Sequence, residues 1–338
     1  MALLPRDSGE FIVNCAVRVK INRDGIEKLS QEVLKKLISG EIDFGMFSQH
    51  KNFPKPDDAQ CLNWIFLVSN LSFCYWKGSH AGKTWRVEGY IGFYALCASI
   101  NRTRRIGADI TNPEYYSQLN VNDLMWIFRE DEGAGKFRLI EDRIEILKDV
   151  AKTLVEKFDG NFENCVKQCD KSAQKLLQII IENFPRFRDE ATFMGERVSF
   201  HRLAQMLIRD IWITFKGEGL GEFTDINSLT ISSDYHIAKV LAYFGALQCN
   251  PTMIQCMKNF LVLNQGPEQV ELCGASIYIV EEVIKNVLQK IDDQGLNIPR
   301  ESVNSCLMDC FLWEYRIPYR HDRRYGKTIK KNIPHQNQ

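Results

Sequence analysis

The chain has 338 residues, of which 45% are hydrophobic, 11% aromatic and 25% charged, enough core material to exclude a disordered or collagen-like protein. Lysine plus arginine and aspartate plus glutamate each number 43, so the formal net charge is zero. Proteins that hold long polyanions through many phosphate contacts are basic, so a small or singly phosphorylated ligand fits better than duplex nucleic acid.

In chain order, Ile26, Leu29, Val33, Leu34, Leu37 and Ile38 recur at helical spacing, and Gly40 stands where that helix should end. Leu71, Phe73 and Tyr75 alternate, and after a glycine-containing turn over 77–83 the alternation resumes at Trp85 and Val87, which predicts one β-hairpin. Helical stripes follow at Ile144, Leu147, Val150, Leu154 and Val155, then at Leu203, Met206, Leu207, Ile211 and Phe215. Two more run through Ile237, Val240, Leu241 and Phe244, and through Ile279, Val283, Ile284, Val287, Leu288 and Ile291. The expectation is a mainly α, compact helical domain with one small β element. The stripes differ in length, which argues against a solenoid, and no linker rich in proline, glycine or serine divides the chain. One domain over 1–338 is expected, with a two-lobed form and a ligand cleft between lobes left open. From Arg316 onward seven basic residues face one acid, Asp322, so 318–338 is expected to be a loose basic tail.

The eleven cysteines are odd in number, form no C-x-x-C pair and follow no secretory signal, so they read as reduced thiols of a cytoplasmic protein, with the nucleus left open. Cys165 with Cys169, and Cys306 with Cys310, are four apart, yet neither pair has a partner at zinc-finger spacing, and no metal is expected. No apolar run approaches the roughly 18 residues of a membrane span. The G-x-G-x-x-G, G-x-x-x-x-G-K-[ST], G-x-S-x-G and H-E-x-x-H templates are absent, and no cofactor is called for.

Four stretches carry chemical potential. Ser232, Ser233 and Asp234 precede an apolar-periodic run closing on Gly245, so Asp234 falls at a helix N-terminus, where amides and the dipole favour a charged carboxylate. It is either a cap alone or a fixed anion able to stabilise a cationic transition state. Lys239 is turned about 140° from Asp234 at 100° per residue and is expected in solvent. Asp309 and Trp313 share one face of an apolar helix over 304–315, with Glu314 turned by roughly 100° from Trp313. A carboxylate among Phe311, Trp313 and Tyr315 can take the N–H groups of a planar heterocycle, or the acids can pair with Arg316 or Arg320. Ser199 is a candidate cap that would place Arg202 in the first turn of a helix, either as a phosphate seat or as a surface arginine. His50, in a polar stretch, reads as a solvated loop histidine.

The runs 85–102, 183–189, 197–205, Asp234-Tyr235 and 309–315, in that order, resemble the queuosine salvage family, and the likeness extends roughly from Ile12 to Tyr315. Members of that family are queuosine 5′-phosphate N-glycosylases with a mainly helical fold similar to helical DNA glycosylases. The resemblance implies hydrolysis of the N-glycosidic bond of queuosine 5′-monophosphate, releasing queuine for reinsertion into tRNA. It makes Asp234 the catalytic carboxylate, places Asp309 and Glu314 at the queuine base, and matches His50 to a family histidine that reaches the same ligand. Ser232, Cys310, Trp313 and Arg202 complete the expected substrate-binding set. The chain departs from the family pattern at Glu314, where Asp is usual, at Cys310, where an aromatic is common, and at Ser232, which replaces a Phe. A base glycosylase acting on DNA or tRNA, and a non-enzymatic helical module that binds queuine or a protein, are the competing readings.

Overall fold

The computed structural model describes residues 2–45, 50–75, 83–258 and 266–315, apart from the side chains of 252 and 256–258. The fold is mainly α-helical, and the strands among the described residues form three two-stranded antiparallel sheets rather than one hairpin. The predicted stripes lie in helices Arg23–Ile38, Ile140–Phe158, Arg202–Thr214, Tyr235–Phe244 and Pro267–Asp293, except that Phe215 falls one residue past the third. Gly40, just past the first of these, takes a left-handed φ of 70°, the conformation that ends a helix at lowest cost in glycine. No helix among the described residues is long and apolar enough to cross a membrane. The basic tail lies outside the described residues.

The chain divides into two compact units, one comprising Met1–Phe47, Phe187–Gln205 and Asp225–Gln338, the other Ser48–Arg186 and Met206–Thr224. The first unit is built on Pro267–Asp293, which packs against Pro5–Cys15, Arg23–Ile38, Tyr235–Phe244 and Ser305–Tyr315. Its crossing with the first helix is close: a Cβ on Gly274 would lie 2.7 Å from the Ile12 side chain. The fully buried Glu271 accepts from the backbone N–H of Val17 and Arg18 and from Arg18 Nη1, at 3.2, 2.7 and 2.8 Å. That carboxylate fixes the turn into strand Val19–Ile21, which pairs with Leu247–Cys249. Asn22 N then donates to Ala246 O at 2.9 Å, so the start of Arg23–Ile38 abuts the end of Tyr235–Phe244. A Cβ on Gly25 would come within 2.2 Å of the Gly245–Ala246 backbone, so only glycine fits there.

In the second unit, every residue of helix Cys61–Leu71 is buried, and its apolar character on all sides follows from that placement. Among the described residues 71–75 do not pair with 83–87 as the predicted hairpin requires, and most of its turn over 77–83 lies outside them. Leu71 ends this helix, and the backbone acceptors of the expected first strand are taken by Arg143, which donates to Leu71 O and Phe73 O, both at 2.6 Å, and to Arg138 O at 2.9 Å. The guanidinium also lies over the rings of Phe73 and Phe137, and burial lowers its pKa to about 10. Arg86–Val87 pairs instead with Tyr90–Ile91 across Glu88-Gly89, both at positive φ, the backbone of a tight hairpin turn. The carboxylate of Asp131 accepts from both turn amides at 2.9 Å. Glu190–Phe193 and Glu196–Ser199 form a hairpin in the first unit, turning at Met194 and Gly195.

Candidate functional site

The chain enters helix Tyr235–Phe244 through a sharp reversal. Ser233 sits at φ 40°, in the left-handed region, and Asp234 returns to extended backbone as the N-cap, at φ −75° and ψ 161°. Asp234 Oδ1 accepts from His236 N at 2.6 Å and from Ile237 N at 3.0 Å. These bonds satisfy two of the amides that a helix start leaves over, and they set the carboxylate where the dipole favours negative charge. The helix ends on Gly245 at φ 78°, as the sequence pattern predicts. The cap is present, and capping is also what orients the acid.

The second acid-bearing motif joins this turn. Asp309, on helix Ser305–Tyr315, is 2% exposed, and its Oδ1 accepts from both the backbone N–H and the hydroxyl of Ser232 at 3.0 Å. Ser232 therefore lies between the two carboxylates, bonded to one and two residues ahead of the other. Cys310 is buried beside Asp309, while Trp313 and Glu314 are half-buried on the same helix. Tyr315 packs on Phe244 and Phe311, with ring centroids 5.3 and 5.5 Å apart, so the far ends of the Asp234 and Asp309 helices share an aromatic contact. Arg316 and Arg320, the alternative partners for these acids, lie outside the described residues.

Arg202 opens its helix, but Ser199 is not the cap. Ser199 ends strand Glu196–Ser199 and donates its hydroxyl to Leu3 O at 2.6 Å, and His201, at φ 45°, breaks the chain before the helix begins. Asp189 takes the role at the helix start, accepting from Arg202 N at 3.4 Å, from Nε at 2.5 Å and from Nη2 at 3.2 Å. Arg202 Nη1 donates to Cys273 Sγ at 3.9 Å. Burial opposes the arginine's charge, yet its pKa is raised above the ordinary arginine value, with the carboxylates of Asp189 and Asp234 among the causes. Lys239 is buried at 5% exposure rather than solvated, its ammonium 4.6 Å from the Tyr235 ring centroid. Being four residues past Tyr235, it shares that ring's face, which shelters the aliphatic stem.

His50 belongs to the second unit and is half-buried. It stacks on Tyr94 at 3.9 Å, meets Tyr90 edge-on at 5.4 Å, and its Nδ1 accepts from Asn52 N at 3.2 Å. Burial, then Lys51, lowers its pKa, so the ring is neutral with its proton on Nε2. The expectation of a solvated loop histidine does not hold, because aromatic rings cover it. Asp189 lies in the family-like run 183–189 and Ser233 in the capping motif, but neither their contacts nor Cys273 carries a signal in the sequence. A cysteine within an apolar helix reads as core, and Asp189 meets Arg202 only because a hairpin folds between them. Among the described residues no three His, Cys, Asp or Glu side chains converge as metal ligands.

A family model described as queuosine salvage protein matches residues 52–337. The chain is 36% identical over 326 residues, 95% of each chain, to a protein of Mus musculus named queuosine 5′-phosphate N-glycosylase/hydrolase. A protein of the same name from Bos taurus is 36% identical over 332 residues, again 95% of each. One from the bacterium Sphaerobacter thermophilus, bearing that name too, is 34% identical over 263 residues, 76% of each.

Proposed function

The chain belongs to the queuosine salvage protein family, and from that premise we propose that it hydrolyses the N-glycosidic bond of queuosine 5′-monophosphate, releasing queuine for reuse in tRNA. The observation that carries the residue assignment is the bond from Ser232 to Asp309, which ties two carboxylates of the family's motifs into one constellation.

Breaking the ribosyl C1′–N bond gathers positive charge on C1′ and O4′, and a fixed anion lowers that barrier. Asp234 supplies the anion. Its orientation is paid for in advance by His236 N and Ile237 N, so no reorganisation is needed as charge develops. Water adds its hydroxyl to C1′ and the base departs with the proton. The base is a 7-deazaguanine with carbon where guanine has N7, so protonation at that position is unavailable. More of the barrier therefore falls on stabilising the sugar cation and on holding the departing base by its polar edge. Asp309 accepts from the base N–H groups, and Glu314 pairs with the cationic amine of the queuine side chain.

Asp234→Asn keeps the cap geometry and removes the charge. It should cost about 10² to 10⁴ in kcat while leaving KM nearly unchanged, measured as queuine released from queuosine 5′-monophosphate. Near-normal turnover by that variant would overturn the assignment of Asp234.

A further inference from the structure

The turn that presents Asp234 is strained. Ser233, a residue with a Cβ, is held at φ 40°, a conformation that costs free energy and persists only where surrounding contacts enforce it. Its own hydroxyl does not enforce it: Ser233 Oγ is buried with no hydrogen-bond partner among the described residues. Two contacts do. Ser232, on one side, is bonded to Asp309 through its N–H and hydroxyl. The Ser233 carbonyl accepts from Cys273 Sγ at 3.6 Å.

Cys273 is 3% exposed on the long Pro267–Asp293 helix, and its neighbour Gly274 is pressed against Ile12. The helix therefore cannot slide or roll at this position, and the thiol has a fixed origin. Arg202 Nη1 donates to the same sulfur, while Asp189 holds the guanidinium through Nε and Nη2. The result is a continuous run of bonds from Asp189 through Arg202 and Cys273 to the peptide that immediately precedes Asp234. Burial pushes the Cys273 thiol pKa up, against the opposing effect of Arg202, so the sulfur keeps the proton it donates.

We propose that Cys273 is a positioning residue: its thiol, held by Arg202, clamps the Ser233 carbonyl and so fixes the direction in which Asp234 faces the ribose. This rests on the reading of Asp234 as the catalytic anion. A cysteine suits the place because sulfur reaches a carbonyl at a longer distance than a hydroxyl while also accepting weakly from the guanidinium.

The test is steady-state hydrolysis of queuosine 5′-monophosphate by the full chain carrying Cys273→Val, Cys273→Ala, Cys273→Ser or Asp234→Asn, and Cys273→Val combined with Asp234→Asn. The two donor-free variants should lower kcat about tenfold with KM within twofold, and Cys273→Ser should recover only part of the loss, because its hydroxyl can still donate but reaches less far than sulfur. In the Asp234→Asn background, Cys273→Val should change the residual rate by less than twofold, since no anion remains to be aimed. Wild-type kcat in a folded donor-free variant overturns the proposal, as does an equal loss from Cys273→Val in both backgrounds. Should the valine variant fail to fold, judged by its thermal transition, the alanine variant decides. Normal turnover by Asp234→Asn would instead remove the reading of Asp234 itself, so the two failures are distinct.

Discussion

Arg202 donates from Nε and Nη2 to the two oxygens of Asp189 and from Nη1 to Cys273, so three of its five N–H groups are engaged by its own chain before any substrate arrives. Asp189 holds the Nε and Nη2 edge, one of the two edges from which an arginine can grip a phosphate with paired bonds. Arg202→Ala should therefore lower kcat on queuosine 5′-monophosphate while KM stays within about twofold, because truncation removes the support of a turn and not a substrate contact. A large rise in KM with kcat retained would return Arg202 to the phosphate. At this scale the sequence is informative where local chemistry is self-contained. Ser-Ser-Asp before an apolar run, closed by glycine, announces the Asp234 cap, because the capping bonds span only two and three residues. It is silent where a bond joins distant positions, as between Cys273 and Ser233, 40 residues apart. Lys239 misleads for a related reason: solvation is the default for lysine, and the burial here depends on the ring of Tyr235 and on packing that no single stripe reveals.

Among elements, long amphipathic helices are legible and short strands are not. A stripe such as Ile26 to Ile38 repeats over several turns, and the helix it predicts, Arg23–Ile38, forms with Asn22 as its cap. The alternation of Leu71, Phe73 and Tyr75 covers five residues, too few to outweigh an arginine that takes the carbonyls on which a strand would depend. The two-residue hairpins are set by positive φ at Glu88-Gly89 and Met194-Gly195, a signal carried by the glycine and not by hydrophobic alternation. The junction that holds the Asp234 helix is likewise backbone against backbone, at Gly25 and Gly245–Ala246. Gly25→Ala forces a methyl to within 2.2 Å of that peptide, so the helices must separate. The expected cost is about 1 to 3 kcal/mol by the usual penalty for overpacking, seen as a lower thermal midpoint, and an unchanged midpoint would show that the junction yields freely.

At the scale of the whole molecule, pH dependence comes from groups whose pKa the fold moves, two histidines among them. Burial lowers the pKa of both His50 and His201 from 6.5. The unfolded chain then takes up protons that the folded imidazoles refuse, so this contribution is fully present above pH 6.5 and is lost as pH falls below it. Asp58 has its pKa lowered chiefly by its bond to Arg104, and its contribution disappears further down, as pH drops below its unfolded value of 3.8. Thermal stability should therefore decline from pH 7 to 5, before the carboxylates titrate. His201→Asn, which tolerates the left-handed φ and keeps an acceptor for Asp189 N, should remove part of that decline. An unaltered slope in the variant would place the effect elsewhere.

The unit that carries Asp234 and Asp309 is assembled from three separated stretches of chain, and that has a consequence for biosynthesis. Arg18 finds its partner Glu271 only 253 residues later, and strand Val19–Ile21 waits for Leu247–Cys249. At about 5 to 20 residues per second on the ribosome, the first helix and strand emerge roughly 13 to 50 s before the segments that cover them. During that interval Ile12, Ile26, Leu29 and Val33, all buried in the finished fold, lack their later partners, so this stretch of the nascent chain exposes apolar surface that a chaperone can cover.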